Sequence, residues 1–497
     1  MKYPSTSRIV RLPSLFNVLG GSCVALAAVV SGCTSDDPPA ASGGVIDADA
    51  EPDADSGVPQ VGTPIPADPQ RPGDPEKGYT ALVTGGYVSC GIPYSAYSAV
   101  FGPAPEELRL PGRTGKNADL PYYYTAFTAP SGVEVVSANC LLCHAGTIDG
   151  KLVVGLGDST GDFTTNPSSQ AELAGLLISD PAEKAEWRKW ADRVKAIAPH
   201  VQTTTVGVNP ADNLAAALFA HRDRETLAWS DEPLLALPPT YAVPVDVPPW
   251  WRMAKKNAMF YIAGGRGDHA RIMMTASTLC TDSVAEAQAI DAYFPDVAAF
   301  IASIPSPKYS GAIDAPLAER GRGVFEATCS RCHGTYGDGA SYPNLVIPLD
   351  EVGTDPTLAV GEAQFANVYT EWFNGSFYGE IARLEPQQGF VAPPLDGVWA
   401  TAPYLHNGSV PTIAALLDSA SRPAYWTRTF DTNDYDHVAL GWNHTALPAG
   451  KDAEPDEQAK KKIYDTTQLG YSNGGHIYGD PLGPDDRAAV IEYLKTL

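Results

Sequence analysis

Cys140-Leu141-Leu142-Cys143-His144 and Cys329-Ser330-Arg331-Cys332-His333 are the two stretches on which the reading of this chain turns. In a Cys-x-x-Cys-His pentapeptide the two thiols can form thioethers with porphyrin vinyl groups, and the adjoining histidine is then held close enough to ligate iron from one side. Zinc would use the same cysteines, but a histidine directly after both pairs is unnecessary for it, and thiolate zinc sites are less expected in an exported chain. A thioredoxin-like redox pair needs a βαβ pattern, which surrounds neither motif. Two covalently bound haem c groups are therefore expected, with His144 and His333 as iron ligands.

Outward from the motifs, the N-terminus carries Lys2, Arg8 and Arg11, an apolar run from Val18 to Val30, and then Ser31-Gly32-Cys33. The run is short for a bilayer span and small residues precede a cysteine, so residues 1–32 read as a lipoprotein-type signal peptide with Cys33 as lipid anchor. Ordinary cleavage near Gly32 is the other reading. Both put the protein outside the cytoplasm, in the periplasm or at the outer membrane or cell surface, with membrane contact only through a lipid at Cys33. Without an adjacent arginine pair in the leader, export as an unfolded chain is favoured, which fits haem attachment after translocation.

Residues 33–77 read as a disordered acidic linker rich in Pro, Ala and Asp, because large apolar side chains are scarce and the only cation before Lys77 is Arg71. The 497 residues exceed what one core usually organises, so two globular units are expected, an N-terminal haem c domain over 78–305 and a C-terminal cytochrome c domain over 306–497. With 44 Pro and 46 Gly the connections should be long and irregular, and the fold mainly α. A formal charge of −24 excludes nucleic acid as a partner, since no surplus of Lys and Arg exists to neutralise phosphate. A redox partner protein, or a small or hydrophobic substrate, suits the chain better.

Asp180-Pro181-Ala182-Glu183 has the capping residue, first-turn proline and reciprocal Glu of a helix start, and that helix should run to Ile197. Val297, Phe300, Ile301 and Ile304 make a helical stripe that closes the first unit; Val490, Ile491, Leu494 and Leu497 make another that closes the second. After the breaker-rich stretch Pro305 to Gly311, Leu317, Gly321, Val324 and Phe325 share one helix face just before Cys329. Strands are poorly signalled, and the β-branched run Val201 to Val208 is isolated. Cys90 and Cys280 are left over from the leader, the anchor and the motifs, and form either a disulfide or two buried thiols.

What fills the far side of each iron decides the class of function, because a filled sixth position makes an electron carrier and an open one permits oxygen or peroxide chemistry. The second unit has no methionine, so its haem points to a second histidine. His476, in the flexible turn Asn473-Gly474-Gly475-His476, leads and His406 follows; His406 also reads as a buried histidine bonded to loop backbone or a propionate. In the first unit, Met253 to Met274 lies among Trp250, Trp251, Phe260 and Tyr261 and either supplies a ligand, walls an open pocket or forms plain core. Arg266, in Gly264-Gly265-Arg266-Gly267-Asp268-His269, is a candidate for binding propionates or reacting oxygen, against a purely structural turn.

Cys329 to Gly339, Gly389 to Trp399 and Ala402 to Ser409 together resemble the dihaem cytochrome c peroxidase superfamily. Pro248-Pro249-Trp250-Trp251, Lys255-Lys256, the Gly-Arg-Gly-Asp turn and the late Gly475-His476 resemble its branch containing bacterial rubber oxygenases. The resemblance spans roughly residues 78–497, and 189 positions separate His144 from His333, far more than two minimal cytochrome domains need. It implies an oxidoreductase of peroxidase or oxygenase type. The His144 haem would be reactive with an open or weakly filled distal site, and the His333 haem would transfer electrons with His476 as distal ligand. Trp251 would be an electron relay or a pocket wall. The chain is shorter than rubber oxygenases and their distal aromatic residue has no clear match between Phe260 and Arg266, so polyisoprene does not follow as substrate. The alternative is a dihaem electron-transfer protein with both irons six-coordinate.

Overall fold

The computed structural model describes residues 61–497. The expected leader, the anchor at Cys33 and the spacer up to residue 60 lie outside the described residues.

Two helix crossings frame the body. The helix Pro75–Thr84 starts where the Asp74 carboxylate accepts from the Glu76 and Lys77 amides, and it lies against the helix Phe294–Ser303. Gly78 sits at that crossing, where a methyl would overlap the Asp296 carbonyl. The helix Ala315–Thr328, capped by Asp314, crosses the final helix Pro484–Leu494 in the same way, and Gly321 meets the Ala489 carbonyl. Aromatic pairs flank both contacts, Tyr79 with Phe300 at 5.1 Å and Phe325 with Tyr493 at 5.3 Å between ring centroids. Glycine lets the backbones approach this closely because it has no Cβ.

The helix Pro181–Ile197 forms with Asp180 as its cap. Glu183 does not close the expected reciprocal box; its carboxylate accepts from Ser95 Oγ at 2.8 Å. Strands are present that the sequence hardly signals, in six small antiparallel sheets of two or three strands among the described residues. The longest pairing joins Tyr124–Thr128 to Glu134–Ala138, directly before the first motif. The run Val201 to Val208 forms turns instead of a strand.

The linker expected over 33–77 is corrected at its C-terminal end. Thr63–Pro64 pairs with Leu345–Pro348, Ile65 is buried, and Arg71 bonds Asp268 at 2.9 Å and Asp291 at 2.7 Å. Acidic, proline-rich composition describes a segment that cannot build its own core, but a body that offers partners can still order it.

Contacts also cross the expected boundary at 305/306. Gly265–Gly267 pairs with Ala382–Leu384, and Trp372 Nε1 donates to the Arg222 carbonyl at 2.8 Å. One large core gathers Leu82, Leu141, Trp250, Phe294 and Ile301 with Trp372 and Phe377 from the second half. The other gathers Phe325, Trp399, Tyr404, Val490 and Tyr493, and includes Trp251 from the first half. Cys90 and Cys280 form a disulfide that closes a loop of 190 positions, and loop closure of this length restricts the unfolded chain.

Gly321→Ala should part the Ala315–Thr328 and Pro484–Leu494 helices and cost about 1–3 kcal/mol, as overpacking does, read as a lowered thermal midpoint. The Arg71 network gives a second test. Burial pushes the Asp291 carboxyl up, but hydrogen bonds from Arg71 and Arg271 outweigh it and hold the group below the ordinary carboxylate range. A depressed folded-state pKa contributes stability that is present above the unfolded pKa of about 4 and lost as pH falls through the folded value. Asp291→Asn should therefore lower stability to denaturant at pH 7, with the gap to wild type narrowing below about pH 4.

Candidate haem sites

The first motif folds as the short helix Leu141–His144 led by Cys140. Asn139 fixes its entry, its Oδ1 accepting from the Leu141 amide at 2.9 Å while its Nδ2 donates to the Tyr122 carbonyl and to Thr125 Oγ1, each at 3.0 Å. Tyr87, fully buried, accepts from the Cys140 amide at 2.9 Å. Asn209 Nδ2 points at Cys143 Sγ at 3.2 Å. The His144 ring stacks on Trp250, centroids 4.7 Å apart and planes 20° apart. The Gly155 amide donates to the His144 carbonyl, and the Trp250 amide donates to the Gly155 carbonyl, so backbone also ties the two residues together. Burial outweighs the nearby Pro248 carbonyl and holds the His144 pKa down at about 4, leaving the neutral imidazole that a metal requires.

In the second motif Cys329 ends the crossing helix and the short helix Ser330–His333 follows. The Pro-Pro loop orients the histidine: His333 Nδ1 lies 2.8 Å from the Pro393 carbonyl. Tyr336 spans the same loop, donating to the His333 carbonyl and accepting from the Leu395 amide. A ligating imidazole commonly gives its other ring nitrogen to such a carbonyl, which sets tautomer and direction.

His476 faces His333, with ring centroids 6.1 Å apart. Two imidazoles on opposite sides of one metal, each bonded at about 2 Å, place their centroids roughly 6 Å apart. The His476 backbone is held at φ 46°, its amide donating to the Val352 carbonyl at 2.7 Å. Gly475, at φ 70°, is required by the close approach of the Gly353–Thr354 backbone. Arg422 clamps the turn, donating to the carbonyls of Asn473, Gly475 and His476. His476 Nδ1 is buried without a hydrogen-bond partner, and burial together with His333 and Arg422 lowers its pKa to about 3.

The four motif cysteines are free, while Cys90 and Cys280 are bonded to each other. Burial raises the Cys143 thiol to about 11 and the Cys329 thiol to about 12, which does not suit thiolate chemistry. Among the described residues no group of three or more His, Cys, Asp or Glu is gathered to hold a metal ion. Free thiol pairs, each with an adjoining neutral histidine, fit thioether-bound haem, whose iron asks the protein for only one or two axial ligands.

His406 is placed elsewhere. Its ring stacks on Phe390 at 4.0 Å and meets Tyr261 edge-on at 6.4 Å, so the imidazole opposite His333 is His476. Arg266 is engaged by the lead-in segment, with Nη2 2.8 Å from the Pro66 carbonyl and 3.4 Å from Asp68. Trp251, only 5% exposed, donates from Nε1 to the Asp396 carbonyl at 2.7 Å. Arg252 Nε also reaches that carbonyl, at 3.1 Å, and Lys255 pairs with the Asp396 carboxylate at 2.8 Å. One 3₁₀ segment, Trp250–Lys255, thus stacks on His144 at its start and grips the loop that orients His333. Trp250 is visible in the sequence as half of a Trp-Trp pair and Asp396 within the stretch Gly389 to Trp399; Arg422 and Asn209 carry no local signal.

Residues 389–427 match a family model described as RoxA-like, cytochrome c-like. The matched segment contains Pro393, Asp396, His406 and Arg422. Two proteins of Sinorhizobium fredii (strain NBRC 101917 / NGR234) are similar to this chain. Uncharacterized protein y4iJ is 31% identical, covering 38% of this chain and 40% of its own length. Uncharacterized protein y4iM is 27% identical, covering 57% of this chain and 71% of its own length. The chain therefore spans less than half of y4iJ. At the level these matches carry, the protein contains a RoxA-like, cytochrome c-like region, and that region implies binding of haem c.

Proposed function

We propose that this protein is an extracytoplasmic dihaem c-type cytochrome that activates oxygen or peroxide at the Cys140/Cys143/His144 haem. Electrons pass through the Cys329/Cys332/His333 haem, in the manner of rubber oxygenases and dihaem peroxidases. The carrying observation is the inequality of the two histidines: His333 faces His476 at 6.1 Å, whereas the ring against His144 is Trp250. Haem iron with one open axial position binds and activates oxygen or peroxide, and iron with both positions filled passes electrons.

Around the first haem, Trp250 limits rotation of the His144 ring and the Asn139 and Tyr87 bonds fix the motif backbone. Around the second, Pro393 and the Arg422 clamp hold two neutral imidazoles opposite each other, their planes 55° apart. The Trp250–Lys255 segment and the loop 393–396 join the surroundings of His144 to those of His333, a natural electron route with Trp251 on it. The substrate class is a small or hydrophobic molecule, with a redox partner protein supplying electrons. Lipid anchoring through Cys33 belongs to the same reading.

A second reading is electron transfer alone, with both haems six-coordinate. Met253, Met259 and Met273 pack on the core that contains Leu141 and Trp250, which favours it as the alternative through a thioether ligand.

Carbon monoxide separates the two. The dithionite-reduced holoprotein should bind it at one haem of the pair; if the absorption spectrum of neither haem changes and neither is high-spin, the oxygen- or peroxide-activating reading fails. His476→Gly should turn the second haem high-spin and add a second carbon monoxide site, with the first unchanged. A low-spin second haem in that variant would mean that another ligand serves it.

A further inference from the structure

From the first motif a run of four tyrosines in ring contact leads to Phe101, which is exposed at the protein surface. The hairpin register sets Tyr124 opposite Ala138, two residues before Cys140, and the Asn139 amide donates to the Tyr123 carbonyl at 3.0 Å. Tyr122 packs on the core that holds Cys140 and Leu141. Its phenol feels the Asp158 carboxylate, whose own amide donates to the Cys143 carbonyl at 2.8 Å. The ladder thus begins on the attachment motif itself.

Its rungs are in contact. Ring centroids are 4.9 Å apart from Tyr122 to Tyr123, 5.0 Å from Tyr123 to Tyr124 and 5.7 Å from Tyr124 to Tyr97. Tyr97 lies on the helix Tyr94–Phe101 and is itself buried, but its ring meets Phe101 at 4.9 Å, and Phe101 is 59% exposed beside Val100. Aromatic contacts of this kind stabilise the packing, for which phenylalanine would serve as well as tyrosine. Four consecutive rungs carry a phenol. Tyrosine is the more readily oxidised ring, and burial raises the pKa of Tyr97, Tyr122 and Tyr124, so each rung is a neutral phenol with an electron and a proton to give.

We propose that Tyr122, Tyr123, Tyr124 and Tyr97 conduct oxidising equivalents from the first haem site to the Val100–Phe101 surface, creating a remote site for one-electron oxidation of phenolic donors too large to reach the haem. The proposal rests on the reading of the first haem as peroxide-activating. In the net reaction one hydrogen peroxide takes two electrons and two protons from two phenols, leaving two waters and two phenoxyl radicals. Each rung passes an electron inward and releases its phenolic proton, then regains both from the next phenol outward, so the net change falls on the external donor.

The experiment compares two donors with the holoprotein and hydrogen peroxide: free tyramine, and tyramine coupled to high-molecular-weight dextran. Wild type should oxidise both, with dityrosine-type fluorescence as readout. Tyr97→Phe and Tyr123→Phe keep ring packing and should slow oxidation of the dextran-linked donor severalfold while free tyramine is oxidised at the wild-type rate. Without any donor, peroxide should leave a tyrosyl-radical signal in electron paramagnetic resonance that both variants diminish; an equal signal, or equal rates on the dextran-linked donor, in wild type and both variants would overturn the ladder while leaving the haem reading intact. Failure to oxidise even free tyramine would overturn the peroxide reading, and the ladder with it.

Discussion

Two close helix crossings, at Gly78 and Gly321, are the constraint from which the rest of the body follows. Each brings an early helix of one half against a closing helix so tightly that backbone meets backbone, and the chain between must return to its starting point. In the second half the crossing helix runs straight into Cys329, so the crossing itself positions the attachment motif. In the first half residues 85–139 intervene, and position is instead handed on by the tyrosine-bearing hairpin, by Tyr87 and by the Cys90–Cys280 disulfide. The same device thus carries a compact site in one half and an elaborated one in the other.

Trp250 to Lys255 makes those sites interdependent. The segment presents one tryptophan to His144 and the next to Asp396, three positions after the carbonyl that orients His333. Its anchorage is charged as well as aromatic, because Lys255 meets the Asp396 carboxylate. A shift in the loop that directs one imidazole is therefore felt by the residue packed on the other.

Helices and motifs were legible because their signals are local. Asp180, Pro181 and the stripes from Val297 to Ile304 and from Val490 to Leu497 are contained within a few turns, and the attachment pentapeptides are five consecutive residues. The small strands were not legible: two to five residues hold too little periodicity, and their partners are far along the chain, as Thr63 is from Val346. The reach of the acidic spacer was misjudged for the same reason. Arg71 looks like a lone cation in a polar tract until Asp268 and Asp291, some two hundred positions away, are folded against it. Arg266 drew attention as a polar residue in a glycine turn, yet its partners are Pro66 and Asp68 from that same lead-in.

By itself the sequence determined where the two Cys-x-x-Cys-His pentapeptides stand, which histidine adjoins each pair of thiols, and which further histidines were candidates to face them, because such a motif is contiguous. The choice between His476 and His406 was left to the tertiary structure. The glycines before His476 ranked it ahead of His406, but a flexible turn alone does not say which ring lies opposite His333. Axial ligation is a matter of ångströms between residues distant in the chain: Arg422 and the Gly353 backbone press the 473–476 turn toward His333, while Phe390 holds the His406 ring in a stack of its own.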